Sequence, residues 1–248
     1  MEIKINGKYA YLEDFIKKLS SIFETEGRVV YSARNQIRVI EVDGLLLNIK
    51  RFHKPFIANA IIYSFFRKPK ACRAYHNALE VLARGFNTPE PVAYVLDNAS
   101  GLLGLSYFVS LHLPEGKEIR DYYFTKGEGD ASAILREFSR FTSRLHDGKI
   151  IHLDYSPGNV LYEKDGDRFR FSLVDINRME FREVNLETGC KNFCRLFGCA
   201  EATEIIAEEY ARQRGFDKAL CTERMLYYQR RFRKKTERKD RLKEKMRR

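Results

Sequence analysis

The chain has 248 residues, 44% of them hydrophobic, so wholesale disorder is excluded and one domain or two small lobes are expected. The formal charge of +11 is concentrated at one end: residues 225–248 hold 12 Lys/Arg against 3 Asp/Glu, which leaves the rest of the chain at +2. A uniformly basic nucleic-acid-binding domain fits such a distribution poorly, and nucleic acid is not expected as a partner on that ground. The charged start lacks an apolar signal core, and the longest apolar stretch, Phe56 to Phe66, is too short to cross a bilayer, which points to the cytoplasm. Cys72, Cys190, Cys194, Cys199 and Cys221 are an odd number of cysteines in a chain of this size and are expected as reduced thiols.

In chain order, Leu12, Phe15, Ile16, Leu19 and Phe23 recur at helical spacing and predict a helix over 11–23. Residues 29–32 and 37–42 read as strands around a short turn. Asp43-Gly44 is a hairpin signal, and 45–50 form a third strand that ends at Lys50. Ala71, Ala74, Ala78, Val81 and Leu82 predict a helix over 70–84, stopped by Gly85. Residues 92–96 and 102–110 read as another hairpin. Ile134, Leu135, Phe138, Phe141 and Leu145 then mark a helix over 131–145, 169–174 an apolar strand, and the chain from Asn185 onward is helical in pattern. The expected organisation is α+β and bilobal: a β-rich part over 1–110, a helical part over 111–224 and a basic helical tail over 225–248. Clefts between lobes are common ligand sites.

The informative segment is His152 to Asn159. It reads His-x-Asp-x-x-x-x-Asn, followed by Val174-Asp175-Ile176-Asn177 at the end of an apolar strand. Pro157 and Gly158 impose an irregular backbone that can turn Asn159 back towards Asp154. Two carboxylates and an amide oxygen suit a hard cation such as magnesium. A loop Asp, an Asn five residues on and a later metal-binding Asp form the protein-kinase-like signature. Chance alone makes such a spacing a surface turn; the order around it argues otherwise. Lys50 ends a strand where kinase-like folds place the lysine that meets nucleotide phosphates, and residues 106–113 fall where an inter-lobe hinge is expected.

The run HLDYSPGNVLYEKDGDRFRFSLVDINRMEF resembles the lipopolysaccharide core kinases, the group of the Kdo kinase, core heptose kinase and InaA-like proteins. RNQIRVIEV, LLLNIKRFHKP and LARGFNTPEPVAY resemble that family's first lobe, so the resemblance covers roughly residues 28–200. It implies a protein-kinase-like fold, ATP and magnesium as cofactors, and phosphorylation of a Kdo or heptose hydroxyl of the lipopolysaccharide inner core. Carried over, Asp154 accepts the proton of the sugar hydroxyl, Asn159 and Asp175 hold magnesium, and Lys50 contacts the α- and β-phosphates. The sequence also departs from the pattern. The turn Ala33-Arg34-Asn35-Gln36 has no glycine, so a glycine-rich clamp is absent or replaced; Arg34 could serve the phosphates or simply be an exposed turn arginine. Glu80, the only acidic residue of helix 70–84, is nominated to pair with Lys50. Asp175-Ile176-Asn177 stands where Asp-Phe-Gly is usual, and Asn tolerates positive φ. Ser156 replaces the lysine that Ser/Thr protein kinases carry two residues after the base, which favours a small-molecule acceptor over a protein.

Other features have plainer readings. His152 is expected to bond backbone near the loop. Arg178 suits an acceptor phosphate or a structural salt bridge. Cys190, Cys194 and Cys199 lack zinc spacing and are expected as buried or half-buried thiols. In the tail, Met225, Tyr228, Phe232, Leu242 and Met246 share one stripe, interrupted by Lys235 and Lys239. Such a helix suits an anionic membrane surface, each basic residue contributing about 1 kcal/mol. That would make the protein peripheral on the inner face of the inner membrane, beside an anionic lipopolysaccharide core glycolipid as acceptor; a solvated basic end and RNA binding are the alternatives. For the chain as a whole the alternatives are an atypical protein kinase and a catalytically inactive kinase-like binding module.

Overall fold

The structure is a computed structural model that describes residues 1–33, 35–54, 68–97, 103–113, 116–120, 131–166, 168–196 and 199–247. Arg34, the apolar stretch 56–66 and the turn at 98–102 lie outside the described residues. The chain divides into two compact units, Met1–Glu115 with Asp175–Arg178, and Gly116–Val174 with Met179–Arg248.

The first unit is built on one antiparallel sheet. Strands β1 (Glu2–Ile5), β2 (Arg28–Ser32), β3 (Gln36–Val42), β4 (Leu45–Phe52), β5 (Pro91–Leu96) and β6 (Ser106–Leu111) lie in the order β1-β5-β6-β4-β3-β2. Asp43 and Gly44 both take positive φ, 49° and 76°, the tight hairpin turn whose twist matches the strands it joins. Alternation along β4 buries Leu47 and Ile49 and sends Lys50 to the opposite face. Leu47, Ile49 and Val109 share a core with Ile16 and Leu19 of helix α1 (Glu13–Ile22). Strand β1 has no counterpart in the sequence prediction: its four residues, Glu-Ile-Lys-Ile, are too few to establish a period, and pairing with β5 makes them a strand. Helix α2 (Lys70–Ala83) buries Ala71, Ala74, Ala78 and Val81. It stops as predicted at Gly85, φ 79°, where Gly85 N–H bonds the Leu82 carbonyl and Phe86 N–H reaches back to that of Val81.

The second unit is mostly helical. It contains α3 (Ala131–Asp147), α4 (Leu186–Asn192), α5 (Ala200–Arg214) and α6 (Lys218–Arg247). Two small antiparallel sheets complete it: β7 (Lys117–Glu118) with β9 (Val160–Asp165) and β10 (Arg168–Leu173), and β8 (Ile150–His152) with β11 (Met179–Phe181). Aromatic rings fill its centre: Phe138 of α3 stacks on Tyr155 at 5.7 Å, and Phe193 meets Tyr210 of α5 edge-on at 5.1 Å. Glu209 of α5 is 3% exposed; burial alone would raise its carboxyl, but bonds from Arg212, Gln213 and Arg140 hold it down at about 2.

A chain of buried polar bonds crosses this unit. Asn192 Nδ2 donates to the His152 carbonyl at 2.9 Å, so its Oδ1 accepts from His146 Nε2–H at 3.0 Å. His146 Nδ1 must then accept, and it takes the Tyr210 hydroxyl proton at 2.8 Å. Gly189 of α4 makes room for that hydroxyl; a Cβ at 189 would collide with it.

Helix α6 runs unbroken through residue 225, where the sequence division starts the tail. The reason is that Cys221, Met225 and Gln229 are buried, with Gln229 bonded to Thr203. The stripe on α6 therefore does not meet one environment. Met225 is core, Tyr228 bonds Glu187, Phe232 lies against Arg195, and Leu242 and Met246 stand exposed. The cysteines are unbridged, and among the described residues no three His, Cys, Asp or Glu side chains gather as a metal site. No described helix is long and apolar enough to cross a membrane.

Burial lowers the His146 imidazole to about 4. Between its ordinary value of about 6.5 and that point, the unfolded chain binds a proton that the folded chain refuses. Stability therefore falls as pH drops through this window, by up to about 3 kcal/mol from this group. Urea midpoints at about pH 7 and about pH 4.5 are expected to differ less for His146→Gln than for the native chain, and an equal difference would refute the assignment.

Candidate active site

The predicted site residues fall in both units. In the first, Lys50 Nζ lies 2.7 Å from Asp175 Oδ1, and the lysine side chain is only 14% exposed. The Phe52 ring flanks the ammonium, 5.5 Å from its centroid. Asp175 takes φ 54°, a left-handed conformation that Asp adopts more readily than most residues. The sequence placed tolerance of positive φ at Asn177; the structure puts the left-handed residue at Asp175, while Asn177 donates its amide to the Asp175 carboxylate. Asn77 of α2 donates to the Ile176 carbonyl at 2.7 Å, so the turn that carries Asp175 is also held by a helix.

Glu80 is not the partner of Lys50. Its Oε1 lies 2.6 Å from Arg84 Nη2, and the charge of Lys50 is met by Asp175. Arg84 sits one helical turn beyond Glu80, within easy reach along the surface of α2, whereas the side chain that α2 offers to the Asp175 turn is Asn77.

In the second unit, β8 ends in His152, which is fully buried. His152 Nδ1 accepts the Asp154 N–H at 3.1 Å, so Nε2 carries the proton and donates to the Val174 carbonyl at 3.1 Å. This is the backbone role expected of His152. Tyr155 anchors the loop on its other side: its ring is buried and its hydroxyl meets Thr142 Oγ1 at 2.8 Å. Burial pushes the Tyr155 phenol well above its ordinary value and keeps it a neutral donor. Pro157–Asn159 form a 3-10 turn, and Asn159 Nδ2 donates to the Asp154 carbonyl at 2.8 Å. The turn thus brings Asn159 back to Asp154 as predicted. Gly158 serves space rather than φ, since a Cβ there would press on the Arg120 guanidinium.

The Asp154 carboxylate pairs with Arg195 of the short 3-10 helix Phe193–Arg195. The Arg195 guanidinium also lies over the ring of Phe232 of α6, 5.1 Å from its centroid. Sequence reasoning missed Arg195, because nothing in its local spacing links it to a loop some forty residues earlier. It places a cation beside Asp154 in a chain that carries Ser156 where protein kinases carry lysine.

Each unit carries an oxygen donor of a kind that magnesium accepts. In the first unit Asp175 has a carboxylate; in the second, Asn159 has an amide oxygen, its amide nitrogen being spent on the loop. Magnesium is commonly held by one or two such hard oxygens together with water and substrate phosphates.

A family model described as the lipopolysaccharide kinase (Kdo/WaaP) family matches residues 15–214. Calcium/calmodulin-dependent protein kinase type I of Schizosaccharomyces pombe is 27% identical over 114 residues, which make up 45% of this chain and 32% of that protein. The match thus spans about a third of the length of that curated relative. Among solved structures, WaaP in complex with acyl carrier protein superimposes with a TM-score of 0.64 at 15% identity, over 93% of this chain and 99% of that one. A crystal structure of WbdD gives 0.49 at 15% identity, over 82% of this chain and 45% of that one. The likeness to the WaaP chain is one of fold: the α+β, protein-kinase-like fold expected from the sequence, with an antiparallel N-terminal sheet and a helical C-terminal part.

His152→Leu leaves the Asp154 N–H and the Val174 carbonyl without their buried partner, and is expected to cost about 2 kcal/mol or more. A urea midpoint within error of the native chain would show that the imidazole does not hold the loop.

Proposed function

The chain belongs to the lipopolysaccharide kinase (Kdo/WaaP) family, and from that premise we propose that it transfers the γ-phosphoryl group of ATP to a Kdo or heptose hydroxyl of the lipopolysaccharide inner core. The observation that carries this reading is the Lys50–Asp175 pair at 2.7 Å, which joins two residues of the phosphotransfer signature from opposite parts of the chain.

Phosphoryl transfer asks little covalent chemistry of a protein; positioning and charge neutralisation dominate. Asp154 accepts the proton of the sugar hydroxyl. A carboxylate is a weak base, but late proton transfer in a loose transition state needs mainly a well-placed acceptor, and the bonds of His152, Tyr155 and Asn159 hold its backbone in place. Lys50 contacts the α- and β-phosphates. Asp175 and Asn159 hold magnesium, which supplies positive charge to the phosphates when bound. Ser156, in place of a lysine, favours a sugar over a protein acceptor. The exposed cations at the end of α6, with exposed Leu242 and Met246, support docking on an anionic membrane surface from the cytoplasmic side. The aligned yeast relative supports a second reading, a protein acceptor.

Three measurements test this. Asp154→Ala in the producing cell is expected to remove phosphate from the lipid A–core, read by mass spectrometry; unchanged core phosphate overturns the acceptor, and transfer to protein in a lysate with none to glycolipid favours the second reading. ATP with magnesium is expected to raise the melting temperature of the native protein but not of Lys50→Ala, and no shift in the native protein would favour an inactive binding module. Removing residues 239–248, which spares buried Met225 and Gln229, is expected to move the protein from the membrane to the soluble fraction; unchanged partition refutes docking by the tail.

A further inference from the structure

Five cations converge on one groove of the second unit. Lys191 of α4 and Arg231, Lys234, Lys235 and Arg238 of α6 line a depression of about 670 Å³, with Phe232 in its wall. Several other cations of this unit are matched by acids: Arg140 by Glu209, Arg214 by Asp147, Lys218 by Glu208 and Arg224 by Glu187. The nearby acids of α6 are also engaged, Glu237 with Arg241 and Asp240 with Lys243. Among the described residues, none of the five groove cations has a carboxylate partner. Like charges held this close repel one another, and an anion seated among them relieves the repulsion.

The groove adjoins the candidate base. Cys194 lines it, and the next residue, Arg195, pairs with Asp154. The same guanidinium lies over the ring of Phe232, which the groove shares. Arg195 and Phe232 thus link the wall of the groove to the Asp154 carboxylate. A space of several hundred Å³ suits one or two sugars rather than a bare ion.

We propose that this groove binds phosphate or carboxylate groups carried by the glycolipid acceptor on sugars next to the one phosphorylated, and so orients the accepting hydroxyl at Asp154. The proposal rests on the reading of Asp154 as the base. It names the acceptor rather than bulk lipid because a planar headgroup layer has no means of entering a groove beside the catalytic loop. It names the acceptor rather than RNA because the cations gather around one recess shared by α4 and α6.

The test compares two charge-matched variants of the full chain, Lys235→Gln with Arg238→Gln in the groove and Lys239→Gln with Lys245→Gln outside it. The probe is deacylated lipid A–core oligosaccharide, with and without phosphatase treatment, titrated by calorimetry. The groove variant is expected to bind the phosphorylated oligosaccharide at least about tenfold more weakly than the native chain, and the outer variant to stay within about twofold. The dephosphorylated oligosaccharide is expected to bind the native chain more weakly than the phosphorylated one. Equal affinity of the native chain and the groove variant for the phosphorylated oligosaccharide overturns the proposal. So does a loss confined to phosphatidylglycerol vesicles or to a single-stranded RNA, which would assign the cations to a membrane or to nucleic acid. The thermal shift with ATP and magnesium separates this failure from that of the kinase reading. A shift that persists while the groove variant keeps its oligosaccharide affinity removes the groove alone; no shift in the native protein removes the kinase reading beneath it.

Discussion

A neutral imidazole has one donor and one acceptor, and His152 spends both on backbone. Its Nδ1 takes the Asp154 N–H and its Nε2–H goes to the Val174 carbonyl, so one buried ring fixes the loop that carries Asp154 and the strand end that leads into Asp175. The arrangement holds only if the ring stays neutral and oriented. Asn192 helps by bonding the His152 carbonyl, and His146 and Tyr210 hold Asn192 in turn. Each donor in this chain has an acceptor, which is what makes a buried polar network stabilising instead of costly. The geometry of the Asp154 loop thus depends on side chains in three helices that carry no phosphotransfer motif.

Much of this was legible in the sequence, for physical reasons that differ by residue. Strand alternation and a hairpin signal placed Lys50, and the Asp154–Asn159 turn is a local spacing with Pro157 and Gly158 inside it. Asp175 follows an apolar strand, where a carboxylate has reason to emerge. What was lost needs distances that spacing does not encode. Glu80 and Asn77 lie on one helix, and only the packing of α2 decides which of them meets the Asp175 turn. Arg195 reaches Asp154 from far along the chain. Strand β1 is made by its pairing with β5, since four residues carry almost no periodic signal. The stripe on α6 was visible as a pattern, but its division between core, ion-pair contact and solvent was not.

Charge follows a similar division. The excess of basic residues at the chain end is one property in the sequence and two in the structure. Part of it gathers around a recess lined also by Cys194, next to the residue that pairs with Asp154, and part lies along an exposed stretch of helix with Leu242 and Met246. The two parts share one helix, so the proposed recognition of an anionic acceptor and the proposed attraction to an anionic surface involve the same element.

Gly189 shows how far this coupling extends. In an ordinary helix alanine is favoured over glycine by about 1 kcal/mol, and exchanging the two is a routine way to stabilise a protein. At position 189 that preference inverts. The added methyl would displace the Tyr210 hydroxyl, deprive His146 of its donor and loosen, through Asn192, the carbonyl of His152. An engineer ranking helix substitutions by propensity would thus loosen the Asp154 loop from a residue that touches no part of it.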